Sequence, residues 1–495
     1  MLHRWIACVL FSAGAAVAQN PTAPKDLEVT AATKSSVSLS WKAVAGAAGY
    51  QVERRSGSGA FAAAGEHVPE TSATDSKIDP YTIYTYRVKA LGQGAAASAA
   101  SNEVQVGPPP MGFNQVSPTP EDNGNNYGYA ATSTLDANDD PIFAFYHRDP
   151  NHNGHTNESV VLFVGWDRAK YHWRAPVKVD DAGDFPDRLI PISLARDAAT
   201  GQLALAWLRQ EDKQAVAFSN DNGVTWAMQP IDRLEDENQA TSCSVALSGG
   251  EIHLAFFNSK SPVYMTGKTS DPASKWKRSY VPAQEGTQQR GIGHLALDSS
   301  GKPGIAYIVN LDAGGVAAMY WRPGSNPAKA LDSNGIQNDG ADARLAFEGE
   351  KPRVLFAGSR DKVDLHLLWF SASQDGASWS EPVAIPSDGN RLMGGPMSIA
   401  VSPKASYAVV ATDNAGNWDG VKCGYPKLSL SNDGRQWSTC SPNPRDKDTR
   451  DSYTTAAYAG DGSLYLTYRA EGPSMKALVV WRGGASGAAN VAIHK

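Results

Sequence analysis

Three features of the sequence predict an all-β chain, a small β-sandwich followed by a β-propeller. A turn ending in tryptophan recurs at intervals of about fifty residues, the spacing of a repeat built from short strands. Ahead of it, three short runs alternate core-facing and solvent-facing residues with the period of two that belongs to a strand. Between the two parts, Gly107-Pro108-Pro109-Pro110 reads as a stiff, polyproline-like joint.

The elements follow in chain order. His3 and Arg4 give a weakly basic start, and Trp5 to Val17 is apolar and small. Ala16-Val17-Ala18 fits the small-residue cleavage rule, so residues 1–18 read as a signal peptide and the mature chain is expected to start near Gln19. The run is too short to span a bilayer comfortably, and no other segment approaches a span. The expected destination is secreted, either extracellular or periplasmic.

Residues 22–107 carry the three alternating runs. Trp41 closes Val37-Ser38-Leu39-Ser40-Trp41; Tyr50-Gln51-Val52-Glu53-Arg54 follows, then Tyr84-Thr85-Tyr86-Arg87-Val88-Lys89-Ala90. Together these runs resemble a fibronectin type III sandwich. The resemblance makes Trp41 the central core tryptophan and puts Tyr84 at the tyrosine corner, its hydroxyl bonding back to the chain. No aromatic triplet marks a sugar platform, so a spacer or stabilising module is expected. Residues 108–112 form the linker, and 113–495 the propeller.

The recurring turn is clearest at Ser219-Asn220-Asp221-Asn222-Gly223-Val224-Thr225-Trp226, which follows the apolar run Ala215-Val216-Ala217-Phe218. Ser and Asp side chains accept backbone N–H groups of their own turn, Gly supplies a positive φ, and Trp anchors the next strand. A form one residue shorter recurs at Ser373, Asp375 and Trp379 and at Ser431, Asp433 and Trp437. A long form at Asp271 and Trp276 has Ala273 where Gly is expected, and a worn copy ends at Trp173. The tryptophans at 173, 226, 276, 379 and 437 lie 53, 50, 103 and 58 residues apart, so one unit lacks its Trp.

These turns resemble the Asp-boxes of the sialidase (BNR-repeat) propeller superfamily, over roughly residues 111–495. That superfamily includes sialidases, other glycosidases, polysaccharide lyases, lectins and sorting receptors, so the resemblance implies a fold rather than one activity. Seven four-stranded units are expected, starting near Tyr129, Arg188, Ala240, Gly291, Ala341, Gly395 and Ser452, the fourth and seventh without a readable box. Sialidases have six blades; six therefore stays open, since the first or last unit can be shared to close the ring.

Composition narrows the partners. Charged residues make up 19% of the chain and the formal net charge is −6, with no basic stripe. That argues against nucleic acid. No pattern calls for a cofactor or has the spacing of a zinc site. Cys423 and Cys440 fall within one repeat and are expected to form a disulfide in an oxidising compartment, leaving Cys243 as a buried thiol.

In a propeller the boxes lie on one face, while the loops between second and third strands and between blades share the other. The boxes are therefore structural, and chemistry is expected opposite them. The longest such loop, Tyr146 to Glu158, holds His147, Asp149, His152 and His155. It offers a general acid in Asp149, substrate contacts in His147 and His155, or a weak metal pattern. In sialidases the acid aspartate comes from this loop. The resemblance also places Tyr453, in Asp451-Ser452-Tyr453-Thr454-Thr455, where sialidases carry a tyrosine nucleophile. A neutral phenol avoids repulsion with an anionic sugar but needs a carboxylate to take its proton, and Glu285 is the candidate.

The arginine triad of sialidases, which grips a carboxylate, is incomplete here. The first blade opens Tyr127-Gly128-Tyr129 without arginine; Arg188 comes one blade late, Arg360 matches the second position, and Lys422 and Lys427 occupy the region of the third. The expectation is a carbohydrate-active protein, either a glycoside hydrolase or a uronate lyase. The alternative is a lectin-like propeller in which Trp418 stacks on a sugar.

Overall fold

The computed structural model describes residues 20–93, 96–116, 129–148, 158–184, 192–209, 214–232, 240–312, 314–329, 342–358, 367–386, 397–412, 426–440, 450–472 and 475–484. The chain divides into two compact units, Met1–Pro108 with Arg168–Tyr171 and Pro109–Asp167 with His172–Lys495. Among the described residues regular structure is all strand, apart from a 3₁₀ turn at Ala273–Lys275.

The first unit is a sandwich of two antiparallel sheets. One pairs Glu28–Ala32, Val37–Ser40 and Ser72–Asp75; the other is built on Gly49–Ser56 and Tyr84–Leu91. Alternation does the sorting. Tyr86, Val88 and Ala90 face the core, while Arg87 and Lys89 meet Glu53 at 2.7 and 2.9 Å on the outer face. Trp41 packs edge-on against Tyr50 with centroids 5.4 Å apart. The Tyr84 hydroxyl accepts the Asp79 N–H at 3.0 Å, so the expected corner is formed.

The second unit is a succession of antiparallel sheets. Each starts on an inner strand and steps outward, and the described residues hold seven of them. The inner strands are Tyr129–Leu135, Ser193–Arg196, Ala240–Ser248, Thr287–Leu297, Ala343–Glu348, Ser398–Val401 and Arg450–Tyr458, in blades 1 to 7. Each inner strand lies against the next, and that of blade 7 lies against that of blade 1. The expected starts fall within a few residues of the observed ones. Between successive blades from 2 to 7 runs an apolar layer; Ile308, Tyr320, Leu345, Phe356 and Trp369 fill the one between blades 4 and 5.

Blade 7 has no box for a topological reason. Its fourth strand is Gly112–Gln115, from before blade 1, which pairs with Met475–Gly483. No turn joins its third strand to its fourth. In blade 4 the box is replaced by a turn in which Trp321 Nε1 donates to the Ser325 carbonyl at 2.8 Å.

The boxes themselves are closed as the sequence predicts. The Ser219 hydroxyl accepts the Gly223 N–H at 2.9 Å and donates to Asp221 at 2.8 Å. Asp221 accepts from the Thr225 hydroxyl and N–H at 2.6 and 2.9 Å, which hold its carboxyl down at about 2. Asp375 accepts two turn N–H groups at 2.9 and 2.8 Å, and Asp433 two at 2.8 Å. Gly223, Gly376 and Gly434 have φ of +84°, +78° and +70°. Where Ala273 replaces glycine the chain takes the 3₁₀ turn, and the Ala273 N–H goes to Gln229 of the preceding blade at 2.9 Å.

The tryptophans do more than anchor their own strand. Trp226, Trp276, Trp379 and Trp437 rest on Phe163, Phe218, Tyr320 and Phe370, each in the third strand of the preceding blade, with centroids 5.2 to 6.2 Å apart. Trp321 meets Tyr264 in the same way at 5.9 Å. In addition to the area it buries, each such pair contributes about 0.5–1.5 kcal/mol.

A Cβ on Gly223 would come within 1.9 Å of the Phe163 ring at a φ of +84°, whereas one on Gly201, at +77°, would meet nothing within 4 Å. Gly223→Ala is therefore expected to cost roughly 2–4 kcal/mol and Gly201→Ala only about 1 kcal/mol. Chemical denaturation of both variants checks this; equal losses would show that the ring contact adds nothing to the backbone term.

Candidate functional site

The box turns occupy one face of the ring, and the second-to-third and blade-to-blade connections the other. Most of the connections that the sequence singles out lie outside the described residues: Asp149, His155, Arg188, Arg360, Trp418 and Cys423 are all in them.

The described ends of the strands show how the face is set up. Four inner strands bulge as they approach it. In blade 1 the register shifts between Tyr129 and Thr132, where Ala130 has a φ of +48°. In blade 3 it shifts between Ala240 and Ser242, in blade 4 between Gln289 and Gly293, and in blade 7 between Ser452 and Thr455. A bulge leaves a residue outside the ladder and re-aims its side chain, and such features gather beside active sites. Tyr453 lies within the bulge of blade 7, across from Tyr468. Arg290 lies within that of blade 4.

The remaining predicted residues are dispersed. His147 is the penultimate residue of the second strand of blade 1, opposite Val160, and half-buried. Glu285 is exposed in the turn between blades 3 and 4. It stands three blades from Tyr453 by either route round the ring, and no hydrogen bond among the described residues joins the two. Cys440, at the end of the outer strand of blade 6, is a free thiol, which corrects the expected disulfide at that residue; burial pushes its pKa up. Cys243 is buried and in no disulfide, as expected, its thiol pushed up to about 12 by burial. No cluster of three or more metal-ligating side chains occurs among the described residues, and no helix in them is long and apolar enough to cross a membrane.

Below the face, the inner strands are tied by a polar layer. The Ser193 hydroxyl accepts the Val245 N–H at 2.9 Å, and Ser244 accepts the Leu295 N–H at 3.0 Å. His294 Nδ1 lies 3.3 Å from the Leu345 nitrogen and 3.1 Å from its carbonyl oxygen. Ser398 accepts the Ala456 N–H at 3.2 Å, and Thr455 meets Ser133 of blade 1. In each case a side chain of one blade holds the next. Blade 5 contributes Arg344 at this level, the one arginine in the series, and its guanidinium turns to Asp342 at 2.8 Å.

Two buried carboxyls near the face escaped the sequence reading. Asp180, in the outer strand of blade 1, accepts from Trp207 Nε1 and Arg209 Nε at 3.0 Å each, and burial raises its pKa against those partners. Asp342 is raised by burial against Arg344. Neither sits in a motif. Asp342 meets Arg344 two residues along its own strand, whereas Asp180 meets Arg209 across the step from blade 1 to blade 2.

Residues 22–106 match the family described as Fibronectin type III domain. Two characterised proteins are similar over short stretches. Poly(3-hydroxybutyrate) depolymerase of Ralstonia pickettii is 41% identical over 94 residues, 19% of this chain and 18% of that one. Chitinase A1 of Niallia circulans is 42% identical over 91 residues, 18% of this chain and 12% of that one. The chain thus matches less than a fifth of either relative's length. Among solved structures, the Hadza microbial sialidase Hz136 aligns over 95% of this chain and 99% of its own, at 11% identity and a TM-score of 0.45.

The polar layer carries a pH signature. Burial holds the His294 imidazole down to about 3, with Arg344 adding to the effect. A folded pKa below the unfolded value of about 6.5 means stability present above pH 6.5 and lost as pH falls toward 3. His294→Gln is expected to flatten the decline of thermal stability across that window, and an unchanged slope would show that the imidazole is not held neutral.

Proposed function

We propose that this chain is a secreted carbohydrate-active protein that degrades a glycan at the loop-bearing face of its propeller. The observation that carries the reading is the bulged set of inner strands on that face, with Tyr453 in the bulge of the last blade. Ladder pairing on either side fixes where a bulge lies, and bulges recur beside active sites. The box face is committed to structure: its carboxylates Asp221, Asp375 and Asp433 are each spent on their own turns.

In this reading Tyr453 is the nucleophile, Asp149 and the histidines of its loop supply acid and recognition, and Arg188 and Arg360 read the substrate. Trp418 offers a ring for stacking. The relatives named for degrading poly(3-hydroxybutyrate) and chitin match over a stretch about as long as the sandwich. That supports the sandwich as an accessory module to a polymer-degrading domain. Secretion follows cleavage before Gln19, which N-terminal sequencing of exported protein reads directly.

A screen of residues 19–495 tests the proposal against sialosides, uronic-acid polymers and neutral polysaccharides, beside Tyr453→Phe. The expected outcome is product release that falls at least ~100-fold in the variant. A reducing-sugar signal identifies a hydrolase and an unsaturated-uronate signal a lyase. Binding on a glycan array with no turnover of any substrate would overturn the enzyme and leave a lectin-like propeller.

A further inference from the structure

We propose that the outer face of the three-stranded sheet in the sandwich is a contact surface for an insoluble, neutral polysaccharide. The surface lies wholly in the first unit and stands apart from the chemistry assigned to the propeller.

The sheet consists of Glu28–Ala32, Val37–Ser40 and Ser72–Asp75, with Val37–Ser40 in the middle. Alternation buries Val37 and Leu39 and leaves Ser38 and Ser40 on the other side. Register sets Ser38 opposite Thr74 and Ser40 opposite Ser72. A bulge between Val29 and Ala31 adds Thr30 at the edge. The hydroxyls of Thr30, Ser38, Ser40, Ser72 and Thr74, with Glu70 beside them, line an open depression of about 480 Å³. Sheet geometry spaces such groups about 4.8 Å apart across strands and roughly 6.6 Å apart along one.

Three hydrogen bonds orient the hydroxyls. Thr30 donates to the Ser38 carbonyl at 3.2 Å, the Ser38 and Thr74 hydroxyls meet at 3.1 Å, and Ser40 donates to the Glu28 carboxylate at 3.1 Å. A hydroxyl has one proton to give and two lone pairs, so each of these still has capacity to accept from outside.

The second sheet of the same sandwich has an outer face of the opposite kind. There Arg87 and Lys89 are bound to Glu53, and Arg55 is bound to Glu103 at 2.9 Å. Phe61 lies between the Arg55 and Arg87 guanidiniums, 4.6 and 3.9 Å from its ring centroid. Those charges are spent on one another. The three strands of the hydroxyl face carry no lysine, arginine or aromatic residue.

These residue types select the occupant. The charged groups on the face are the Glu28 and Glu70 carboxylates, which repel anionic polymers. A protein partner is anchored by aromatic, Met and Arg side chains, and a lipid surface by apolar ones. The face offers neither. A neutral polysaccharide matches it, because sugar hydroxyls both donate and accept. Each hydrogen bond won from water contributes little, so binding needs several at once. A soluble chain loses conformational freedom in making them, whereas chains already ordered in a solid do not.

Depletion of the mature protein from solution by microcrystalline cellulose and by chitin tests the surface. Three variants are compared: Ser38→Ala/Ser72→Ala/Thr74→Val, Glu28→Lys/Glu70→Lys, and Thr85→Val on the second sheet. The wild type and Thr85→Val are expected to be retained equally by at least one of the two solids. The triple variant is expected to lose ~10-fold or more in partition coefficient there, while keeping the wild-type affinity for soluble cellohexaose and chitohexaose. The charge-reversed variant is expected to gain retention on carboxymethyl-cellulose fibres, which the wild type lacks. No retention of the wild type on either solid would overturn the proposal, as would equal retention of the triple variant, or wild-type retention on carboxymethyl-cellulose as strong as on cellulose. Should the triple variant fail to fold, the charge-reversed one decides, and no gain on the carboxymethylated fibres counts against the surface. Turnover of soluble glycans by the triple variant is expected to match the wild type, so failure of this surface and failure of the enzyme reading are told apart.

Discussion

The contact between a turn glycine and an aromatic ring of the preceding blade is the constraint on which the propeller depends. Gly223, Gly376 and Gly434 lie against Phe163, Tyr320 and Phe370 so closely that a Cβ would fall 1.9 to 2.9 Å from ring carbons. The same rings receive the box tryptophans. Each turn is thus shaped twice, by its own Ser and Asp and by the sheet before it. A sheet with one apolar face must find a cover, and here the cover is specified by a contact only one neighbour can make. The polar layer near the axis repeats the logic with hydrogen bonds, since Ser193, Ser244, His294 and Ser398 each hold the following blade.

Holding the ring by one face and by its centre leaves the opposite face free to vary. There the inner strands of blades 1, 3, 4 and 7 depart from ladder pairing, and the connections are long enough to carry chemistry. Buried carboxyls at Asp180 and Asp342 lie below it, each on an arginine. The division follows from connectivity: hairpin turns between first and second strands are tight, so that side cannot open into a cleft.

Local chemistry made much of this legible in the sequence. Ser219, Asp221, Gly223 and Trp226 act within eight residues, so their roles can be read from spacing, as can the alternation that buries Tyr86 and Val88. The Tyr84 corner spans only five residues back to Asp79. What depends on distant partners was not legible. Nothing near Trp226 names Phe163, and nothing near Gly483 shows that blade 7 is finished by Gly112–Gln115. Glu285 is named for Tyr453 on its place in a blade-to-blade loop alone; the structure sets it in the turn between blades 3 and 4, with Tyr453 in blade 7. A shared repeat with Cys423 pointed to a disulfide at Cys440, but sequence spacing carries no information on the sulfur geometry that a disulfide needs.

The strand Gly112–Gln115 has a consequence for how the molecule is made. It leaves the ribosome before every blade it helps to close, and its partner Met475–Gly483 leaves after them all. For most of synthesis, then, an edge of unsatisfied N–H and C=O groups waits at one end of a growing stack of sheets. Loop closure over that span is slow, and open edges recruit other chains. Closure therefore waits for the last strands of the chain, and until they arrive Gly112–Gln115 has no partner in its own sheet.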